Sequence, residues 1–172
     1  MVACEPARLP LMKKTLILVS LLATLFACSN KGEPLPAFSL KTLDGDTMTE
    51  KDLVGKTTVI NVWATWCGNC LNELDDLNVL AAKYESDTNV VFLALSDEDP
   101  SKIKDFLMRR PFNFTHIPDG TVLTDAIQTR LVKTYPQHIV LDKDLKITYE
   151  ATGELQDANA ELSKEIDNLR SN

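Results

Sequence analysis

Residues 57–65 gather Val59, Ile60, Val62 and Trp63 into one short run of β-branched and aromatic side chains. A run like this, without strict alternation, predicts a central strand buried on both faces. From Cys67 the period changes. Leu71, Leu74, Leu77, Ala81 and Tyr84 recur at spacings of three and four, the apolar stripe of a helix. Residues 89–96 form a second apolar strand. Asp99-Pro100 then places a capping side chain ahead of a proline at the first helical position. That helix turns Ile103, Phe106 and Leu107 inward and stops before Pro111. Residues 112–120 read as loop or a short strand, and residues 124–130 as a short helix. Residues 138–141 and 147–152 are strands joined by a polar turn. Leu155, Leu162, Ile166 and Leu169 mark a C-terminal helix.

Ahead of the central strand, residues 38–42 and 46–49 flank Leu43-Asp44-Gly45, and Asp-Gly between extended segments signals a hairpin. Thr49-Glu50-Lys51-Asp52 is a capping pattern for one helical turn, closed by Gly55. The order is hairpin, β, α, β, α, an irregular stretch, β, β, α. Strand–helix–strand units demand parallel neighbours, whereas the last two strands can pair as a hairpin. The prediction is one α/β domain: a mixed central sheet flanked by helices, with an added N-terminal hairpin. There are no internal repeats and no low-complexity tract.

The first fifth of the chain follows other rules. Lys13-Lys14 precede an uncharged apolar run, residues 15–27, that is too short to span a bilayer, which takes about 20 apolar residues. It ends in Leu25-Phe26-Ala27-Cys28. This resembles the lipobox of bacterial lipoproteins, and the resemblance implies that Cys28 is diacylated and becomes the mature N-terminus. Residues 1–27 are therefore expected to be a signal peptide, with residues 1–11 and Cys4 an over-extended start. Residues 28–36, with Pro34 and Pro36, form a tether, and residues 37–172 form the folded domain. Ser29 after the lipid-bearing cysteine implies an envelope location at the outer membrane.

Composition adds constraints. The 172 residues are 44% hydrophobic, and 18 Lys and Arg face 25 Asp and Glu for a net charge of −7. No basic footprint for nucleic acid is present. The four cysteines lie at 4, 28, 67 and 70, so one C-x-x-C pair carries the thiol chemistry of the folded part.

That pair leaves the central strand as Trp63-Ala64-Thr65-Trp66-Cys67-Gly68-Asn69-Cys70. Two intervening residues at a helix start let the sulfurs close a small disulfide ring. The first cysteine is expected exposed and the second beneath the helix. The free amides and the dipole of a helix N-terminus favour an anion, and so stabilise the thiolate of Cys67, the attacking species in disulfide exchange. The stretch resembles the active site of thioredoxin-like proteins, specifically the TlpA/ResA-like group of membrane-tethered thiol-disulfide oxidoreductases. The resemblance spans roughly residues 34–170. It implies a thioredoxin-like fold in which Cys67 is the nucleophile and Cys70 the resolving thiol. It also implies a cis peptide before Pro136, with Tyr135 offering backbone groups to a substrate peptide. Glu73, three residues after Cys70, matches an acidic position that moves the resolving thiol's proton, and Trp66 would shield the site. The implied substrates are disulfide-bearing exported proteins, re-reduced by a membrane electron donor. No cofactor is expected.

Departures from the pattern are visible. Gly68-Asn69 replaces Gly-Pro between the cysteines. Asn61 stands where cytosolic thioredoxins carry a buried Asp. Asp75 stands where the family often has a helix-kinking proline, so the helix is not expected to owe a bend to proline.

Competing readings remain on the page. A closed zinc site needs two more ligands, and the folded part offers only His116 and His138 at irregular spacing; both read as structural or surface residues. A peroxiredoxin-like antioxidant would share the fold, but Ile60 and Ala64 occupy the positions where its Pro-x-x-x-Thr-x-x-Cys setting needs proline and threonine. A tethered binding module without turnover is the non-enzymatic alternative. Neutral residues between the cysteines and the acids Glu73, Asp75 and Asp76 favour a reductant over an oxidant.

Overall fold

The structure is a computed structural model that describes residues 32–128 and 133–171. The signal peptide, Cys4, Cys28 and the start of the tether lie outside the described residues, as do positions 129–130 of the expected short helix. Among the described residues, no helix is long and apolar enough to cross a membrane.

The hairpin forms where the turn chemistry put it. Strand β1 (Ser39–Lys41) pairs antiparallel with β2 (Thr47–Thr49). Gly45 sits at φ +95°, a conformation that favours glycine. The capping pattern also forms: the Asp52 carboxylate accepts from Thr49 N and Oγ1, both at 2.8 Å, and holds one 3₁₀ turn, Glu50–Asp52. Glu50 in that turn accepts from Phe38 N at 3.0 Å and ties the turn to the hairpin's entry.

The main sheet has strand order β5-β4-β3-β6-β7. Central strand β3 (Thr57–Val62) is buried at every position. It runs parallel to β4 (Val90–Leu95) and antiparallel to β6 (Gln137–Leu141). On the outer edges, β5 (Thr115–Ile117) is parallel to β4, and β7 (Ile147–Thr152) is antiparallel to β6. Five helices complete the domain: α1 (Gly68–Asn72), α2 (Leu74–Lys83), α3 (Pro100–Leu107), α4 (Thr121–Ile127) and α5 (Ala158–Arg170).

Alternation along the strands builds two cores. Val59, Trp63, Ala94 and Val140 face Leu74, Leu77 and Leu80 of α2, Ile103 of α3, and Leu162 and Ile166 of α5. Ile60, Val62, Leu93, Leu95, Ile139 and Leu141 face Leu123 and Ile127 of α4, with Leu40 and Met48 of the hairpin at the margin. Both cysteines of the C-x-x-C motif belong to the first core.

Of the two readings open for residues 112–120, the short strand forms, β5, because Leu93, Ala94 and Leu95 offer it a parallel partner. Three local expectations change. The short helix starts at Thr121, three residues earlier than expected, with Gly120 at its cap. Gly120 lies so close to Leu95 that a Cβ there would stand 2.2 Å from Leu95 Cδ1. The single helix expected from Cys67 is two helices. It breaks at Glu73 (φ −88°, ψ −9°) with no proline present, at the point where the Glu73 side chain turns inward. Leu155 precedes α5 instead of lying in it.

Candidate active site

Leaving β3, the chain reaches Cys67, which caps α1: its Sγ accepts from Cys70 N at 3.1 Å. The sulfur therefore sits where the first helical amides point. Cys67 and Cys70 are joined as a disulfide with their Cα atoms 5.3 Å apart. The expected asymmetry is smaller than the sequence suggested. Cys67 is 6% exposed and Cys70 1%, so neither sulfur projects into solvent. Packing of Trp63 and Ala64 against the first core draws the loop inward.

Access comes from one side. An open groove of about 410 Å³ has Trp66, Cys67, Asn69, Lys133 and Tyr135 in its lining, whereas Cys70 is not part of it. Trp66 is 69% exposed and stands edge-on to the Tyr135 ring at 5.6 Å. The ring therefore lines the groove beside Cys67. The Tyr135–Pro136 peptide is cis. Tyr135 thus shares one depression with Trp66 and Cys67, more than sixty residues earlier in the sequence.

Two acids missed in the sequence brace these walls. Asp97 and Glu98 follow β4, the parallel neighbour of β3. Glu98 accepts from Thr65 N at 2.6 Å and Thr65 Oγ1 at 2.8 Å, which holds the turn carrying Trp66. Asp97 accepts from the Tyr135 hydroxyl at 3.0 Å and pairs with Lys133 at 2.6 Å, and Lys133 also reaches Asp125 at 2.8 Å. Burial, then the bond to Asp97, pushes the Tyr135 hydroxyl up to about 12. Burial pushes the Asp97 carboxyl up as well, but Lys133, Thr124 and Tyr135 outweigh it and hold it below the usual carboxylate range. A lowered carboxyl contributes stability above its unfolded value of about 3.9 and loses it as pH falls through the folded value. Asp97→Asn should therefore flatten the melting temperature against pH below about pH 4, where the native chain loses this brace. An unchanged acid limb in the variant would show that the brace carries no stability.

Three residues after Cys70 stands a second, buried polar group. Glu73 is 2% exposed; its Oε1 accepts from Leu155 N and stands 3.2 Å from His138 Nε2. That approach is close but not aligned as a hydrogen bond, so Nε2 and Glu73 Oε2 are both buried without a hydrogen-bond partner among the described residues. His138 is fully buried, and its Nδ1 lies 3.2 Å from Asn61 Nδ2, its partner across β3 and β6. The two histidines, grouped together in the sequence, are thus separated. His116 is a core residue, edge-on to Trp63 and bonded to Phe112 O at 2.9 Å, with burial pushing its ring down. His138 instead belongs to the Glu73 cluster, because strand pairing sets it beside Asn61.

The arrangement can open and close a disulfide whose first cysteine lines an open groove. The comparisons agree. The sequence matches the Redoxin family over residues 30–166. It is 34% identical over 125 residues to the thiol-disulfide oxidoreductase ResA of Bacillus cereus, covering 72% of this chain and 70% of that one. It is 55% identical over 53 residues to the thiol:disulfide interchange protein DsbE of Pseudomonas fluorescens, covering 30% of each. A thiol:disulfide interchange protein of the thioredoxin family from Chlorobium tepidum superposes with a TM-score of 0.69 at 20% identity, covering 83% of this chain and 99% of that one. With its disulfide at a helix start and its mixed five-stranded sheet, the chain belongs to the Redoxin family, among the thioredoxin-like thiol-disulfide oxidoreductases of the ResA and DsbE kind.

Proposed function

We propose that this oxidoreductase is an exported disulfide reductase, anchored by a lipid on Cys28 and acting on disulfide-bearing proteins of the cell envelope. The supporting observation is the Cys67–Cys70 disulfide with Cys67 in the lining of an open groove of about 410 Å³. In this reading Cys67 is the nucleophile and Cys70 the resolver. Trp66, Tyr135 and Pro136 receive the client chain, and Glu73 carries the proton of the resolving thiol. Residues 28–36 tether the domain of residues 37–172, and a membrane electron donor returns the pair to the dithiol. The end of the tether is docked on the domain, since Leu35 is buried in the second core and its N donates to Leu145 O at 2.8 Å.

The direction follows from charge. A strong oxidant stabilises its reduced thiolate with positive charge nearby. Here the residues between the cysteines are neutral, and the lysine that lines the groove, Lys133, is paired with both Asp97 and Asp125. Glu73 and Glu98 add further carboxylates to the surroundings. Equilibration with glutathione should give a potential more negative than about −180 mV; a value near −120 mV would make the protein an oxidant. The anchor is tested separately. Cys28→Ala should abolish labelling by a palmitate analogue and release the protein from membranes, whereas retained labelling would remove the lipid from the proposal.

A further inference from the structure

We infer that His138 is a positioning residue for the resolving step, holding the Glu73 carboxylate so that one defined oxygen takes the proton of Cys70. The inference rests on the reading of Glu73 as the proton carrier. In the resolving step the Cys70 S–H gives its proton to the Glu73 carboxylate, and the Cys70 sulfur attacks Cys67 of the mixed disulfide. The Cys67–Cys70 bond forms, the bond from Cys67 to the client sulfur breaks, and the client leaves as a thiolate. Two electrons have passed from the dithiol to the client disulfide.

The two oxygens of Glu73 are not equivalent. Oε1 accepts from Leu155 N and faces His138 Nε2 at 3.2 Å. Oε2 is buried with no hydrogen-bond partner among the described residues, which leaves its lone pairs for an incoming proton. The ring state follows from its other side. Asn61 Nδ2 donates to Nδ1 at 3.2 Å, so the neutral ring carries its hydrogen on Nε2, toward Oε1. In the disulfide form this Nε2–H is near its acceptor but misaligned. Such contacts tighten when charge develops on the partner, as it does when the thiol proton leaves Glu73 again.

The other titratable groups facing Glu73 do not compete for this role. Tyr149 on β7 gives its hydroxyl to Glu161 of α5, and the charges of Glu161 and Glu165 act on it alongside that of Glu73. Among the described residues, Glu73 forms its close ion-pair contact with His138 and with no lysine or arginine. The fully buried His138 is the ionisable side chain aimed at the carboxylate.

The test uses the reduced protein and an aromatic disulfide, dithiobis(nitrobenzoate), which releases one coloured thiol at each step. The first phase reports attack by Cys67 and the second reports resolution by Cys70. His138→Leu should slow the second phase about tenfold and alter its dependence on pH between 5 and 9, with the first phase within about twofold. His138→Gln, whose amide nitrogen replaces Nε2–H, should return the second phase to within about threefold of wild type. Asn61→Ala, which frees Nδ1 and unfixes the tautomer, should slow the second phase alone and serves if His138→Leu does not fold. Glu73→Gln should slow the second phase in every case. If Glu73→Gln slows it and the His138 and Asn61 variants do not, His138 is only packing and the inference fails alone. If Glu73→Gln has no effect, the proton-carrier reading fails and the inference with it. Equal slowing of both phases in the His138 variants would mark a structural defect and overturn the inference too.

Discussion

Replacing Cys67 with serine should lower disulfide reduction by on the order of 10³-fold or more, because a hydroxyl at that position cannot supply the attacking anion. Cys70→Ser should behave differently. It keeps the cysteine that lines the groove and loses the one outside it, so the first attack proceeds and mixed disulfides accumulate. The asymmetry is built into the helix start: Cys67 is the capping residue whose sulfur accepts from Cys70 N, whereas Cys70 is inside the helix and 1% exposed. Insulin turbidity measures the loss of turnover, and non-reducing electrophoresis of the Cys70→Ser protein with a client measures trapping. Alkylation of the dithiol at mildly acidic pH completes the test. If Cys70 is labelled first, the assignments are exchanged.

Trp63→Ala should be the most damaging substitution to stability, at about 3–5 kcal/mol, the usual cost of emptying a large aromatic site. Trp63 has no exposed surface and meets Phe106, Phe112 and His116 edge-on at 5.3, 5.4 and 5.6 Å. These contacts join β3 to the loop that carries β5 and to α3. Its backbone N donates to Leu95 O at 3.0 Å, so the same residue fixes where the strand hands over to the cysteine loop. Urea denaturation would show a lower midpoint with little change in slope. Trp66→Ala is the control. That side chain is 69% exposed, and its removal should cost under about 0.5 kcal/mol while raising KM for a protein client. A loss below about 1 kcal/mol at Trp63, or a larger loss at Trp66 than at Trp63, would reverse the roles assigned to the two rings.

The readable features were those whose physics is local. The Asp44-Gly45 turn needs one residue tolerant of positive φ, and the 3₁₀ turn needs one carboxylate three residues from its cap. Both are satisfied within a few residues, and so is the cap of α3, where Asp99 accepts from Ser101 N at 2.7 Å. Strand β3 announced its double burial by composition. The Cys67–Cys70 pair is also local, since two intervening residues are enough for a helix start to bring the sulfurs together. The break at Glu73 escaped notice because its visible signals, a continuous apolar stripe and no proline, argued for one helix. The carboxylate satisfies itself at Leu155 N, 82 residues away.

The sequence by itself determined the order of the main strands and helices, apart from the break at Glu73 and the edge strand β5, and with it the redox pair and the class of chemistry, because each rests on periodicity, capping or a three-residue spacing. Only the tertiary structure decided which charged groups serve that pair. Asn61 and His138 are 77 residues apart and meet because β3 and β6 align them in register. Asp97 and Glu98 reach the groove because β4 runs parallel to β3 and delivers its next residues to the same end of the sheet. A polar residue in a linear pattern shows that it can donate or accept. Its partner is set by strand order and register, and burial then makes that partner matter, since a polar group removed from water must find its bond within the fold.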